Sequence, residues 1–220
     1  MCGRFSLGTT DLRAEYNLAT EVKIKPRYNI APGTEVPVII SENGRNVFKM
    51  MRWGFELRFG DQPPKLIINA MGETLAEKAT FKKLVQSQRC LIPATGFYEW
   101  KKTEAGKIPH YFFLKDQKMF SLGGLYRLEK NETGEEVLTC VVITTQPNEL
   151  MQPVHNRMPL IISKLNENAW LNSANSEAVQ SLIKPFAAED MKAVTVSKKV
   201  NNAGNDSPDL IEEFRWEVGR

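Results

Sequence analysis

Leu138-Thr139-Cys140-Val141-Val142-Ile143-Thr144 is a nearly continuous apolar run. A strand buried on both faces reads this way. Val36-Pro37-Val38-Ile39-Ile40 reads the same way. Outward from these two, short runs rich in Val, Ile, Phe and Tyr recur between Gly, Pro, Asn and Asp. They predict strands at 36–41, 47–53, 66–69, 90–92, 96–100, 111–114, 119–122, 138–144 and 160–162. Asn43-Gly44 predicts a hairpin turn, and the polar stretches 101–107 and 129–136 predict two more hairpin loops.

Helical patterns are fewer. They fall at 10–16, at 76–88 (with Ala79, Leu84 and Val85 at helical spacing), at 167–171, and at 176–183 before Pro185. No βαβ alternation, repeat or linker composition interrupts the chain. The expectation is therefore a single α+β domain over 1–220. Its core is a mainly antiparallel, barrel-like sheet with a few peripheral helices.

Composition narrows the function classes. The 220 residues suffice for one large core. Hydrophobic residues at 42% and charged residues at 25% are ordinary for a soluble globular protein. A net charge of +3 permits a nucleic-acid partner without requiring one. Cys2, Cys90 and Cys140 form an odd, sparse set that argues against a disulfide framework. His110 and His155 are the only histidines, and neither C-x-x-C nor H-E-x-x-H occurs. No metal site and no cofactor are expected. Met1-Cys2-Gly3-Arg4-Phe5 lacks an apolar signal region, and no run approaches 18 apolar residues. A cytoplasmic, reducing setting is expected, with no membrane contact.

Cys2 is the residue with the most chemistry. Removal of Met1 would leave an N-terminal cysteine, with an amine and a thiol on adjacent carbons. The amine has an ordinary pKa of about 7.7–8.0, so a sizeable fraction is neutral near pH 7. It attacks an aldehyde to give an imine, and the neighbouring thiol closes a five-membered thiazolidine. Four other residues stand in distinctive surroundings. Asn29 lies in Arg27-Tyr28-Asn29-Ile30-Ala31-Pro32-Gly33, and Asn69 ends the run Ile67-Ile68-Asn69-Ala70. Glu99 lies in Gly96-Phe97-Tyr98-Glu99-Trp100, where apolar neighbours raise a carboxyl's pKa. His155 lies in Pro153-Val154-His155-Asn156-Arg157-Met158-Pro159. Each has a plainer reading: Asn29 as a turn cap, Asn69 as a strand-end partner, Glu99 paired with Lys101 or Lys102, and His155 as a hydrogen-bonded loop residue.

In combination and in order, these segments resemble the SRAP (SOS response-associated peptidase) family of abasic site processing proteins. Trp53-Gly54, Glu73-Thr74, Thr144-Thr145 with Pro147-Asn148, and Ser207-Pro208-Asp209-Leu210-Ile211 carry the likeness along nearly the whole chain. A monomer is the default expectation. The resemblance implies a protein that binds single-stranded DNA, or ends at single-strand/double-strand junctions. It also implies a covalent crosslink to abasic sites through Cys2, after partly self-catalysed loss of Met1, with lyase chemistry as a side path. By position, Cys2 would supply both nucleophiles and Asn69 would orient the amine or the opened sugar. Glu99 would move protons, and His155 would help open the sugar. Arg4 and Arg157 would hold phosphates, and Asn29, Pro32, Trp100 and Thr145 would line the DNA-binding channel.

Two departures touch DNA contacts. Met71 stands where the family carries an arginine, and Arg52 or Arg58 is a candidate substitute. Phe55-Glu56-Leu57-Arg58-Phe59 replaces an Ile-Pro-x-Trp type segment, with Phe59 a candidate wedge. Three rival readings have distinct signatures. An N-terminal-nucleophile glutamine amidotransferase would release ammonia from glutamine. A non-catalytic DNA-binding module would bind reversibly without Cys2. A peptidase built on Cys2 and His155 would cleave other proteins.

Overall fold

The computed structural model describes residues 2–9, 11–57, 63–130 and 133–216. The chain runs through β1 (Phe5–Leu7), α1 (Leu12–Tyr16), β2 (Arg27–Ile30), β3 (Glu35–Glu42), β4 (Arg45–Trp53), β5 (Phe55–Leu57), β6 (Lys65–Ile67) and β7 (Asn69–Met71). It continues through α2 (Ala79–Lys82), α3 (Leu84–Ser87), β8 (Arg89–Ala94), β9 (Gly96–Thr103), β10 (Gly106–Leu114), β11 (Phe120–Lys130) and β12 (Glu136–Thr145). Then follow β13 (Met158–Pro159), β14 (Ile161–Ile162), α4 (Glu167–Asn172), α5 (Ser176–Ser181) and β15 (Met191–Thr195).

The two apolar runs build a closed barrel. β3 pairs antiparallel with β4 and β8, β8 with β11, and β11 with β12. A parallel pairing, Thr139↔Arg52 and Cys140↔Trp53, joins β12 back to β4 and closes the ring. Closure leaves no free edge in this ring and buries the apolar run of β12 on both faces, which explains its unbroken pattern. Asn43 and Gly44 turn β3 into β4 with φ of 52° and 75°, the left-handed pair that a two-residue hairpin requires.

Five strands form a second sheet in the order β15-β10-β9-β1-β2. The chain passes from the barrel into this sheet at Thr95, between β8 and β9, where the Thr95 N–H donates to the Ser6 carbonyl at 2.8 Å. Phe5 fastens the seam from the other side. It is fully buried and meets Trp53 of the barrel edge-on, with 5.2 Å between ring centroids. Burying such a ring stabilises by about 1.5–3 kcal/mol, and the aromatic pairing adds about 0.5–1.5 kcal/mol. The tail covers the outer face of this sheet, with Val196, Val200 and Leu210 packed on Tyr98 and Tyr111.

Several expected elements differ in extent. The 76–88 helix is two short pieces, α2 and α3, whose preceding residues Lys78 and Lys83 supply no side-chain cap. The run 66–69 is split between β6 and β7, which pair with different strands. The run 119–122 is the start of an eleven-residue strand that passes through Gly123 and Gly124. A Cβ on Gly124 would lie 2.7 Å from the Val141 carbonyl oxygen and 3.0 Å from Cys90 Sγ. The glycine there marks close approach of strands, not a break. The hairpin loop at 101–107 is shorter than expected, because β9 and β10 pair from Lys102↔Lys107 and Thr103↔Gly106 onward. β1, β2, β5 and β15 are additional strands. The helix start at Thr10 lies outside the described residues, as do Met1, Arg58 and Phe59.

Candidate active site

The site lies where four segments meet. The β1 side brings Cys2, because the Tyr98 N–H donates to the Arg4 carbonyl at 2.9 Å and lays the N-terminal segment along β9. β9 brings Glu99. β7, held on β12 by the register Asn69↔Val142, brings Asn69. The turn between β12 and β13 brings His155, and it is closed by the pairing Thr145↔Met158.

Cys2 is fully buried. Burial, and then the charge of nearby Glu99, push its thiol well above the ordinary range, so the sulfur rests as a neutral thiol. Asn69 Nδ2 donates to the Cys2 carbonyl at 2.9 Å. Asn69 Oδ1 is also buried and has no hydrogen-bond partner among the described residues. An unpartnered acceptor beside Cys2 is costly unless something binds there.

Glu99 is 3% exposed, and burial pushes its carboxyl up to about 7. A carboxyl poised there gives up and takes back a proton at physiological pH. His155 Nε2 lies 4.0 Å from Glu99 Oε2. His155 Nδ1 meets the backbone of Arg157 twice, 3.1 Å from its N–H and 3.2 Å from its carbonyl oxygen, which fixes the ring with Nε2 toward Glu99. Burial chiefly, with the charges of Lys102 and Arg157 adding to it, holds this imidazole below its ordinary pKa. Glu99 therefore approaches His155 across the site, in preference to the lysines that follow it in sequence.

Of the remaining sequence candidates only Trp100 lines the cavity over the site; the others are held in contacts around it. Arg157 is 8% exposed and makes a two-pronged pair with Glu73, Nη1–Oε1 and Nη2–Oε2 both 2.8 Å, while Nη2 also donates to the Thr144 carbonyl at 2.6 Å. This clamp fixes the loop that carries His155. Thr145 is buried at the end of β12, next to Thr144, with Oγ1 donating to the Gln146 carbonyl at 3.0 Å. Arg4 donates to Asn29 Oδ1 at 2.6 Å and to the Val200 carbonyl at 2.9 Å, with its guanidinium 5.9 Å from the Trp100 ring centroid. Asn29 is buried, and its Nδ2 serves the carbonyls of Val200, Asn202 and Asn205. It anchors the 200–205 segment; it does not cap a turn. Pro32 lies half-buried in the turn between β2 and β3.

A cavity of about 370 Å³ opens over the site, lined by Glu99, Trp100, Lys102, Lys107, His155 and Asn201. Lys107 and the role of Asn201, whose Oδ1 accepts from Trp100 Nε1 at 2.7 Å, escaped the reading of the sequence. Nothing local to either residue distinguishes it, since the β9–β10 register alone brings Lys107 to the site.

The departure at Met71 is real in space: the side chain is 43% exposed on β7 beside Asn69. Arg52 does not replace the missing arginine. It pairs with Thr139, five positions along β12 from Met71's partner Thr144, which is about 17 Å of strand. Its guanidinium is engaged by Glu56 at 2.7 Å.

The family model for SOS response associated peptidase (SRAP) matches residues 1–203. This chain belongs to the SRAP family. It is 40% identical to the abasic site processing protein YoqW of Bacillus subtilis, over 96% of this chain and 99% of that one. It is 39% identical to the abasic site processing protein YobE of the same organism, over the same shares. The crystal structure of a protein from Bacteroides thetaiotaomicron superposes with a TM-score of 0.83 at 26% identity, covering 97% of this SRAP chain and all of that one. Among the described residues, no helix is long and apolar enough to cross a membrane.

Proposed function

We propose that this SRAP protein acts on abasic sites in single-stranded DNA by bonding the opened sugar covalently to Cys2. The observation that carries this reading is the convergence of Cys2, Asn69, Glu99 and His155, far apart in sequence, around one carboxyl poised near neutrality. The names of the relatives supply the substrate class.

Hydrolysis of the Met1–Cys2 peptide bond frees the Cys2 amine and consumes one water. Protonated His155 donates from Nε2 to the ring oxygen as the C1′–O4′ bond breaks, and the C1′ hydroxyl gives its proton to the Glu99 carboxylate, which exposes the C1′ aldehyde. The amine attacks C1′ to give a carbinolamine, and Glu99 supplies the proton with which its hydroxyl leaves as water. The product is an imine. That imine is formed in its protonated state; Glu99, now a carboxylate, takes the Cys2 thiol proton as sulfur adds to C1′, and the C=N electron pair returns to the nitrogen, which keeps its hydrogen. The net result is aldehyde plus N-terminal cysteine giving thiazolidine plus one water. Asn69 Oδ1 accepts from the amine and aims it. Sulfur capture removes the imine that would otherwise drive β-elimination, so strand cleavage is the minor path.

Arg4 and Trp100, stacked on one another, face the strand at the mouth of the cavity, with Pro32 and the Asn29-anchored segment beyond them. Arg157 reaches a phosphate only by sharing its guanidinium with Glu73 and Thr144. The amidotransferase reading starts from the same Met-Cys-Gly opening but has no counterpart in the family match. The test is intact-mass analysis of protein mixed with an abasic single strand. The proposal expects an adduct equal to Met1-free protein plus DNA less one water. An adduct retaining that water, or none at all, overturns the thiazolidine.

A further inference from the structure

Lys102 and Lys107 stand directly opposite each other on β9 and β10, both exposed and both lining the cavity over Glu99 and His155. Like charges at directly opposed positions of an antiparallel pair destabilise the sheet, because their Cβ atoms are only about 4.5–5.5 Å apart. Among the described residues, neither ammonium has a carboxylate within ion-pair distance. The hairpin thus keeps two cations side by side, uncompensated, on the wall of the site. An anion placed between them removes the repulsion and gains two charge-assisted contacts.

We propose that Lys102 and Lys107 form a two-pronged seat for a DNA backbone phosphate next to the sugar held at Glu99 and His155. The inference rests on the reading that a DNA strand enters this cavity, and it adds the path the strand takes. From the reacting sugar, the backbone runs outward over the β9–β10 hairpin. Trp100 lies on the way, pinned through its Nε1 to Asn201. Lys102 is also near enough for its charge to be felt at His155. The seat therefore adjoins the chemistry and does not belong to a remote patch. Lys101, between Trp100 and Lys102, does not line the cavity, and strand alternation points it away from those two neighbours.

The experiment measures reversible binding of an intact single-stranded oligonucleotide by fluorescence anisotropy between 50 and 200 mM salt. Single-strand binding loses about 0.7 in log–log salt slope for each phosphate contact removed. Lys102→Gln with Lys107→Gln is expected to flatten the slope by about 1.4 and weaken binding roughly tenfold at 0.1 M salt. The Lys102→Arg, Lys107→Arg double variant keeps the slope, and Lys101→Gln behaves as wild type. A double Gln variant with the wild-type slope overturns the seat, as does a Lys101→Gln variant with an equal loss. Crosslinking of wild type to an abasic strand, run in parallel, separates the two claims. A flattened slope without any crosslink keeps the seat and rejects the covalent chemistry. A crosslink with an unchanged slope does the reverse.

Discussion

Cys90 and Cys140 lie in the wall of the barrel, and Cys2 lies at the seam between the barrel and the second sheet. All three are fully buried, and burial drives all three thiols up. Protonation state therefore does not distinguish them. Their neighbours do. Cys90 packs against the Gly124 backbone and gives its carbonyl to Trp170 Nε1, and the Cys140 carbonyl accepts from the Gly54 N–H. Those contacts hold a barrel together and move no protons. Cys2 has an amide donor on its carbonyl, an unpartnered amide oxygen close by, and a carboxyl balanced near pH 7. The reactivity proposed for Cys2 rests on where a buried cysteine meets groups able to carry protons, since burial by itself gives an inert thiol.

The largest effect that would break this comparison is at Cys2 itself. Cys2→Ala is expected to abolish the denaturant-stable DNA adduct, whereas Cys140→Ala keeps it and lowers stability by about 1–2 kcal/mol, the cost of a small cavity. A gel for the adduct and a urea titration separate the two outcomes. An adduct lost equally in both variants would contradict the distinction.

Glu99→Gln comes next. It removes the proton carrier and is expected to slow adduct formation by about 10²–10⁴-fold. In wild type the rate should change its pH dependence around 7, and in the variant that feature should vanish. Stability moves the other way. The Glu99 carboxyl has a folded pKa of about 7, above its ordinary 4.5, so the native state holds the proton more tightly. Stability then falls as pH rises from about 4.5 to 7, and the loss is complete above that range. It amounts to about 3 kcal/mol at most. Wild type should lose most of this between pH 5 and pH 8 while Glu99→Gln does not. Parallel stability curves would show that Glu99 is not held near neutrality.

The seam could be sharpened at Glu73. Glu73→Ala leaves the Arg157 guanidinium with only Thr144 in a mostly buried place. It should cost about 2 kcal/mol and slow the adduct through the loosened His155 loop. Unchanged stability in a thermal melt would remove the clamp from the account. The smallest expected effect is at Met71. Met71→Arg places a guanidinium beside Asn69 and is expected to steepen the salt dependence of single-strand binding by about 0.7. No change would mean the strand does not pass over β7.

Much of the barrel was legible because its strands are buried on both faces, and continuous apolar runs such as those of β3 and β12 announce that environment. Strands whose partners decide them were not. β1 has three residues, β2 opens on Arg27, and β15 contains Lys192 and Thr195, so none carries a local strand pattern strong enough to stand alone. From sequence β11 reads short, ending before Gly123, because a glycine in a strand looks like a break where the close approach of the neighbouring Val141 carbonyl is invisible. At the site, the distinctive segments pointed to Cys2, Asn69, Glu99 and His155. The contacts that occupy Arg157, Arg4 and Asn29 depend on residues up to 196 positions away and have no trace in local sequence. The Lys102–Lys107 pair is invisible for the same reason, since only the hairpin register places the two lysines side by side.

The most direct test is a denaturing-gel assay with one abasic site in a single-stranded oligonucleotide, an intact strand as control, and N-terminal mass spectrometry of the protein. The account predicts a denaturant-resistant band that requires the abasic site, requires Cys2, and contains protein lacking Met1. Absence of that band from protein shown to begin at Cys2 would contradict it.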